Sequence, residues 1–257
     1  MKINIIIQAR CSSLRLPYKS LMPIKGMPLI LLIAKRIKKK NFNIIVATSN
    51  HESDNDLCKL LKRNKIKYFR GDLNNVYKRI YDCLNLLKNN HLTLRLTGDN
   101  PFIDHRIISK IVDELVSNKK KYNYIDNINS KVPYGISVEA FEQKFFKNLK
   151  VKNNFEKEHV TVSARTKKNN NYKSELVFFN NMYSNLRCTV DNLDDYILIN
   201  NIFLKVNNPI KISWYDLCKK LMKYKRIKNL SLECKKKIIL GTAQLGTKYG
   251  VNNFYQI

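Results

Sequence analysis

Three fixed cations and two serine hydroxyls crowd into one short stretch, Gln8-Ala9-Arg10-Cys11-Ser12-Ser13-Leu14-Arg15-Leu16-Pro17-Tyr18-Lys19. Arg10 and Arg15 carry forked guanidinium donors and Lys19 a point charge, the groups best suited to phosphate oxygens. Ser12 and Ser13 add hydroxyl donors. The stretch therefore suits a polyanion such as a triphosphate, although it is no Walker A loop, because no glycine precedes Lys19. A solvated basic loop is the plainer alternative in so cationic a chain. The second chemical feature is Thr97-Gly98-Asp99-Asn100-Pro101-Phe102-Ile103-Asp104. A glycine followed by an acid at the end of a central strand is where a metal bound to nucleotide phosphates can be held, which singles out Asp99. Asp104 is better explained as the cap of a helix over residues 105–117.

The elements that must position these loops follow from the apolar runs. Residues 3–7 are isoleucine at every position but Asn4, a β-branched run that does not alternate and predicts a short buried parallel strand. The basic loop then leaves that strand's C-terminal end, the ligand-binding rim of open α/β sheets. Pro28 is expected as the first residue of a helix over 29–39. A second strand over 44–48 places Thr48 and Ser49 on the same rim, where they either read a base or ribose or form a polar turn before a helix starting near Asp54. A third strand ends at Tyr68-Phe69, and Arg70-Gly71-Asp72 follows on that rim. The next helix carries Val76, Ile80, Leu84 and Leu87 on one face, with Arg79 early on it. Residues 91–97 alternate apolar and polar, yet the β-α-β-α order before them argues for a central parallel strand. Residues 186–191 read as a further strand ending in Asp191. The stripe through Ile197, Ile199, Ile202, Phe203 and Val206 closes the domain, and a helix over 214–224 follows.

The order of these residues resembles the spore coat polysaccharide cytidylyltransferase family, with CMP-KDO synthetase and acylneuraminate cytidylyltransferase as wider relatives. The family opening Arg-x-x-Ser-x-Arg-Leu-Pro-Gly-Lys is matched by Arg10, Ser13, Arg15, Leu16, Pro17 and Lys19, with Tyr18 in place of the glycine. The family's Thr-Gly-Asp-Cys-Pro-Leu-Ile-Asp is matched at 97–104, and its first Asp is a metal ligand. Leu-Arg-Leu-Thr-Val-Asp is matched at 186–191, which implies Asp191 as the second metal carboxylate, while Asp194 and Asp195 favour a helix N-terminus. Phe-Arg-Gly... Asp-Val-Leu-x-Arg-Tyr is similar to the stretch from Phe69 to Arg79, implying that Arg79 points back to the nucleotide; an ordinary exposed helix arginine is the alternative. Gly-Leu-Asp-Val-Glu-Val-Phe resembles 135–141, where Ser137 replaces an acid and Glu139 is kept. Arg-Glu-His-Val-Thr resembles 157–161. The resemblance implies Glu139, Glu158 and His159 as acceptor-binding residues; for Glu158 and His159 a helix-surface pair is the alternative.

Composition bounds the rest. The 257 residues are 44% hydrophobic and 10% aromatic, which excludes a disordered chain. The formal net charge of +28 raises a nucleic-acid or other polyanion partner. The lysines, however, are scattered or stand in triplets at 38–40, 119–121 and 235–237, so they read mostly as solvated surface and nucleic acid is not expected. The six cysteines are far apart, without a C-x-x-C pair. Cys11 beside Arg10 is either a thiol of lowered pKa or a small packing residue. No apolar run reaches membrane-spanning length and the N-terminus lacks a signal-peptide core, so a cytoplasmic protein with no membrane partner is expected.

The expected fold is α/β, a nucleotide-diphospho-sugar transferase fold with a Rossmann-like, mixed and mostly parallel sheet between helices, over residues 1–232. The resemblance implies attack of a sugar, sugar acid or sugar phosphate on the α-phosphorus of a nucleoside triphosphate, with Mg²⁺ on Asp99 and Asp191. Arg10, Arg15 and Lys19 would neutralise the leaving pyrophosphate. CTP is favoured by the family alone. A non-catalytic polyanion binder and a decayed nucleotide-binding paralogue are the rival readings, and oligomeric state stays open, a homodimer included. Residues 233–257 are expected to be a linker plus a segment resembling the opening of an aldo-keto reductase, Ile238-Ile239-Leu240-Gly241-Thr242-Ala243-Gln244-Leu245-Gly246, without reductase activity and loosely held.

Overall fold

The isoleucine run near the N-terminus forms β1 (Ile3–Gln8), whose apolar side chains are shielded from solvent on both faces of a sheet. The structure, a computed structural model, describes residues 2–87, 92–118, 121–128, 130–166, 172–173 and 183–233. A two-residue-per-strand hairpin, β2 (Pro23–Ile24) and β3 (Met27–Pro28), precedes α1 (Leu29–Arg36). There follow β4 (Phe42–Ser49), α2 (Asn55–Arg63), β5 (Lys67–Gly71), α3 (Val76–Leu86), β6 (Leu92–Thr97) and α4 (His105–Ser117). The second half contains β7 (Tyr124–Asp126), β8 (Glu139–Glu142), α5 (Gln143–Lys147), α6 (Asn154–Glu158), α7 (Val162–Thr166), β9 (Tyr172–Lys173), α8 (Leu193–Leu204) and α9 (Trp214–Glu233).

The main sheet has the order β5-β4-β1-β6-β8-β7-β9. β5, β4, β1 and β6 run parallel, and β8 turns the sheet antiparallel against β6. This is the expected mixed, mostly parallel sheet between helices, with β1 and β6 central. The polar residues of β6 are accommodated by burial with partners: Thr93 is enclosed and Arg95 is ion-paired to Glu139 of β8 at 2.6 Å.

The chain divides into two compact units, Met1–Met222 and Lys223–Ile257. Of the second, only the helical residues up to Glu233 are described, so the stretch resembling an aldo-keto reductase lies outside the described residues. Among the described residues no helix is long and apolar enough to cross a membrane.

Three expectations are corrected. Pro28 ends β3 rather than opening the helix, and α1 stops at Arg36. Arg36 is buried, and its guanidinium donates to the carbonyls of Phe102, Ile103, Pro209 and Ile212, which ties the helix end to the loop after β6. The last helix runs to Glu233, past the expected end at 224. Residues 186–191 form no strand. Their backbone groups are divided between two loops, Cys188 N–H donating to Tyr134 O and Val190 N–H to Asp99 O, so no continuous ladder can form.

Tyr18 shows how the basic loop keeps its turn without the family's glycine. It adopts φ 56, ψ 16, the left-handed conformation, and its side chain stays half in solvent, so only backbone strain of about 1–2 kcal/mol opposes the turn. The bonds that oppose this strain are local, from Tyr18 N–H to Cys11 O and from Leu21 N–H to Tyr18 O.

A buried acid fixes the start of that loop. Asp54 is fully enclosed and accepts from the backbone N–H of Cys11 at 2.6 Å, the backbone N–H of Ser49 at 2.9 Å and the Ser49 hydroxyl. Burial alone would raise its pKa, but the bonds from Ser49 and Cys11 outweigh it and hold the carboxyl below its ordinary value. An acid with a depressed folded pKa stabilises the fold above its unfolded pKa, and that contribution is lost as pH falls through the folded value. Asp54→Asn is therefore expected to lower stability by about 1–3 kcal/mol at pH 7. Urea unfolding repeated near pH 3 is expected to show a much smaller gap between the two proteins.

Candidate active site

The parallel strands deliver three loops to one rim. The basic loop leaves β1, the Gly98-Asp99 turn leaves β6, and the extended segment ending in Asp191 is laid across them. Gly98 N–H donates to Gln8 O at 2.8 Å, and a Cβ at Gly98 would stand 2.8 Å from that of Ala9, so the close approach of the two loops requires glycine there. The Val190 N–H bond to Asp99 O then brings Asp191 alongside Asp99.

Lys19 stands at the convergence. Its ammonium donates to Asp99 Oδ2 at 2.8 Å, Asp191 Oδ1 at 3.2 Å and Val190 O at 3.0 Å. Arg15 reaches Asp191 Oδ1 at 3.1 Å, while Arg187 bonds Asp191 Oδ2 at 2.6 Å and Asp195 Oδ1 at 2.9 Å. Arg10 donates to Leu73 O at 3.1 Å and lies 3.6 Å from Glu158. Arg10, Ser13, Arg15, Lys19, Asp99 and Asp191 share one cavity of about 440 Å³, with Glu158 at its edge. The arrangement offers cations to a polyanion and two carboxylates to a cation within one concave space.

The other expected residues are placed differently. Ser12 keeps a buried hydroxyl without a partner among the described residues. Thr48 and Ser49 are completely buried, Ser49 bound to Asp54, so they form the floor of the rim rather than an exposed reading surface. Arg70 donates to Ser49 O, His51 O and Asn55 Oδ1, bracing the turn after β4. Arg79 is neither an exposed helix arginine nor a wall of the cavity. It is fully buried, donates to the carbonyls of Asp72 and Leu73, and burial lowers its pKa to about 10. Leu73 O thus accepts from both Arg10 and Arg79. Cys11 is no activated thiol, since burial, reinforced by Asp54, pushes its pKa up to about 12.

Of the residues expected at the acceptor, Glu158 alone reaches the cavity. His159 caps α6, exposed, with its ring against Phe155 at 4.5 Å. Glu139 is buried beneath the rim, held by Arg95 at 2.6 Å, Arg165 at 2.7 Å and Thr161 at 2.8 Å. Burial would raise its pKa, but Arg95 and Arg165 outweigh that and keep it lowered.

Reading the sequence left out Gln8, Arg95 and Arg187. Arg187 stands inside the motif that gave Asp191, four residues before it, and Gln8 opens the basic loop. Both positions were in view, and only the contacts give them roles. Arg95 carried no local signal beyond a charge inside a strand.

The chain is similar to known proteins in both sequence and fold. A sequence profile described as Cytidylyltransferase matches residues 4–238. An uncharacterized protein of Methanocaldococcus jannaschii is 34% identical over 167 residues, 63% of this chain and 66% of that protein. The spore coat polysaccharide biosynthesis protein SpsF of Bacillus subtilis is 27% identical over 233 residues, 84% of this chain and 92% of SpsF. The 3-deoxy-manno-octulosonate cytidylyltransferase of Rickettsia typhi is 34% identical over 117 residues, and the chain spans about half of it, 48%. Among solved structures, a cytidylyltransferase from Leptospira borgpetersenii superposes with a TM-score of 0.78 at 25% identity, covering 94% of this chain and all of that one, 100%. The profile runs through all the strands and loops that build the rim, and on that ground the chain belongs to the cytidylyltransferase family.

Proposed function

We propose that this chain transfers the cytidylyl group of CTP to a sugar acid destined for a surface glycan, releasing pyrophosphate. The observation that carries this reading is the meeting of Lys19 with Asp99 and Asp191 at the rim, beside Arg15 and within reach of Arg10. In the reaction an acceptor hydroxyl oxygen bonds to the α-phosphorus, its proton passes to solvent, and the bond to the bridging oxygen of the departing pyrophosphate breaks. Arg10, Arg15 and Lys19 bind the triphosphate and stabilise the charge that grows on the leaving pyrophosphate. Ser13 lies in the same cavity and adds a hydroxyl donor. The relatives of Bacillus and Rickettsia motivate the sugar acid, through their names in polysaccharide biosynthesis and octulosonate cytidylyl transfer.

Mg²⁺ fits the same residues. Asp99 and Asp191 converge on one cation, and two carboxylates completed by phosphate and water oxygens are the donor set this hard ion prefers. Among the described residues no cluster of three or more His, Cys, Asp or Glu offers a closed protein cage. Bound there, Mg²⁺ would neutralise charge at the α-phosphate. No side chain is assigned as general base, because phosphoryl-type transfer depends chiefly on positioning and charge.

The deciding experiment is pyrophosphate release with Mg²⁺ and each of the four nucleoside triphosphates against a panel of 2-keto sugar acids and sugar 1-phosphates. Release with CTP and a sugar acid is expected, and silence with every pair would overturn the reading. Asp99→Asn is expected to lower turnover on the order of a hundredfold or more while leaving the melting temperature near that of the wild type. Lys19→Ala should weaken CTP binding roughly ten- to a hundredfold in calorimetry, the loss expected for a hydrogen-bonded charge. Because Tyr18 already holds the left-handed turn, Tyr18→Gly should leave the Kd for CTP within about twofold, the folding change staying under about 1 kcal/mol.

A further inference from the structure

Gln8 is the last residue of β1 and one of the residues that line the cavity, with Lys19 and Asp99. Its amide is held from one side. Arg95 Nε and Nη2 donate to Gln8 Oε1 at 3.2 and 3.1 Å. A guanidinium has no acceptor, so the atom facing it must be the amide oxygen, and the amide nitrogen must face away. That NH₂ group has no partner among the described residues and belongs to a residue open to the cavity. With its oxygen taken by Arg95, Gln8 has two donors and no acceptor left beside the cavity.

The hold on Gln8 is itself anchored. Arg95 donates through Nη1 to Glu139 Oε2 at 2.6 Å, and the other Glu139 oxygen takes Thr161 and Arg165. Arg165 is in turn 3.3 Å from Asp126, which accepts from the Tyr124 hydroxyl at 3.0 Å. The network crosses β6, β8 and β7, on the side of β1 away from Thr48, Ser49 and Arg70 on β4 and β5.

We infer that Gln8 is a specificity-determining residue that donates a hydrogen bond to an oxygen of the acceptor sugar, with Arg95 and Glu139 as positioning residues that fix its amide. The inference rests on the transfer reaction proposed above. It also gives Glu139 a part in acceptor choice without contact, since that buried acid is linked to the cavity through Arg95 and Gln8. The class of acceptor group selected is one with free lone pairs, a carboxylate, carbonyl or hydroxyl oxygen.

The test uses the full chain with CTP and the sugar acid that gives wild-type turnover, beginning with 3-deoxy-manno-octulosonate. Gln8→Met removes both donors without adding charge, and Gln8→Glu removes them while leaving a carboxylate oxygen for Arg95. Both variants are expected to raise the acceptor KM about tenfold or more, the size of one lost hydrogen bond to an anionic oxygen. Gln8→Met should leave the Kd for CTP, measured by calorimetry, within about twofold of wild type, and Gln8→Glu should keep the wild-type melting temperature. An unchanged acceptor KM in both variants overturns the inference. So does a rise in the CTP constant alone in Gln8→Met, which would assign the donor to the nucleotide. Wild-type silence with every acceptor overturns the transfer reading itself and the inference with it, a result distinct from an active wild type with unaffected variants.

Discussion

Two carboxylates that face each other at the end of a sheet repel, and a cation between them offsets that repulsion. In this chain the Lys19 ammonium supplies that cation, and the rim is assembled around it. Asp99 lies 80 residues beyond Lys19 and Asp191 lies 172 residues beyond it. Their meeting defines how the loop after β1, the turn after β6 and the segment before α8 sit together. Arg15 and Arg187 extend the pairing to Asp191 and Asp195, so the segment 187–195, which forms no strand, is fixed chiefly by charge and a few backbone bonds.

Beneath the rim lies a second layer of polar residues that solvent does not reach. Asp54 gathers the start of the basic loop and the end of β4, while Glu139 gathers β6 and α7 through Arg95, Thr161 and Arg165. An enclosed carboxylate persists only where hydrogen bonds and opposite charges replace its water. Each acid therefore enforces its own surroundings: loosening a partner would leave a buried charge uncompensated. Positional accuracy at the exposed cations is thus supported from below by groups that never touch the cavity.

The parts of this arrangement that depend on local sequence were legible in it. The isoleucine run of β1, the succession of strand and helix through α4, the Asp104 cap and the ordered loops after β1 and β6 all follow from short-range pattern, and the family resemblance followed from those loops. The partners of the site residues were not legible, because they are set by tertiary contact. Thr48, Ser49, Arg79 and Glu139 are polar residues on or near the rim, and nothing local says that each is enclosed. Residues 186–191 have the alternation of a strand, yet their hydrogen-bond partners are Tyr134 and Asp99, which no local pattern names. Tyr18 is the converse case. Its residue type argued against a left-handed turn, and the bonds closing the loop overrode that preference.

The net charge of +28 does not by itself explain affinity for a polyanion at this rim. Lys38, Lys39 and Lys40 gather with Lys65 and Lys67 around a cavity at the opposite ends of β4 and β5, where the strands begin. Within the rim, by contrast, each cation already faces an acid: Lys19 faces Asp99 and Asp191, Arg15 faces Asp191, and Arg10 stands near Glu158. A bare triphosphate entering there must draw Lys19 and Arg15 away from carboxylates that would be left facing each other. Under the proposed reaction, Asp99 and Asp191 would hold the cation that accompanies the triphosphate, and Lys19 and Arg15 would be left to pair with phosphate oxygens. Near-balance of charge thus sets the rim apart from a uniformly basic surface, which would draw any polyanion by charge alone.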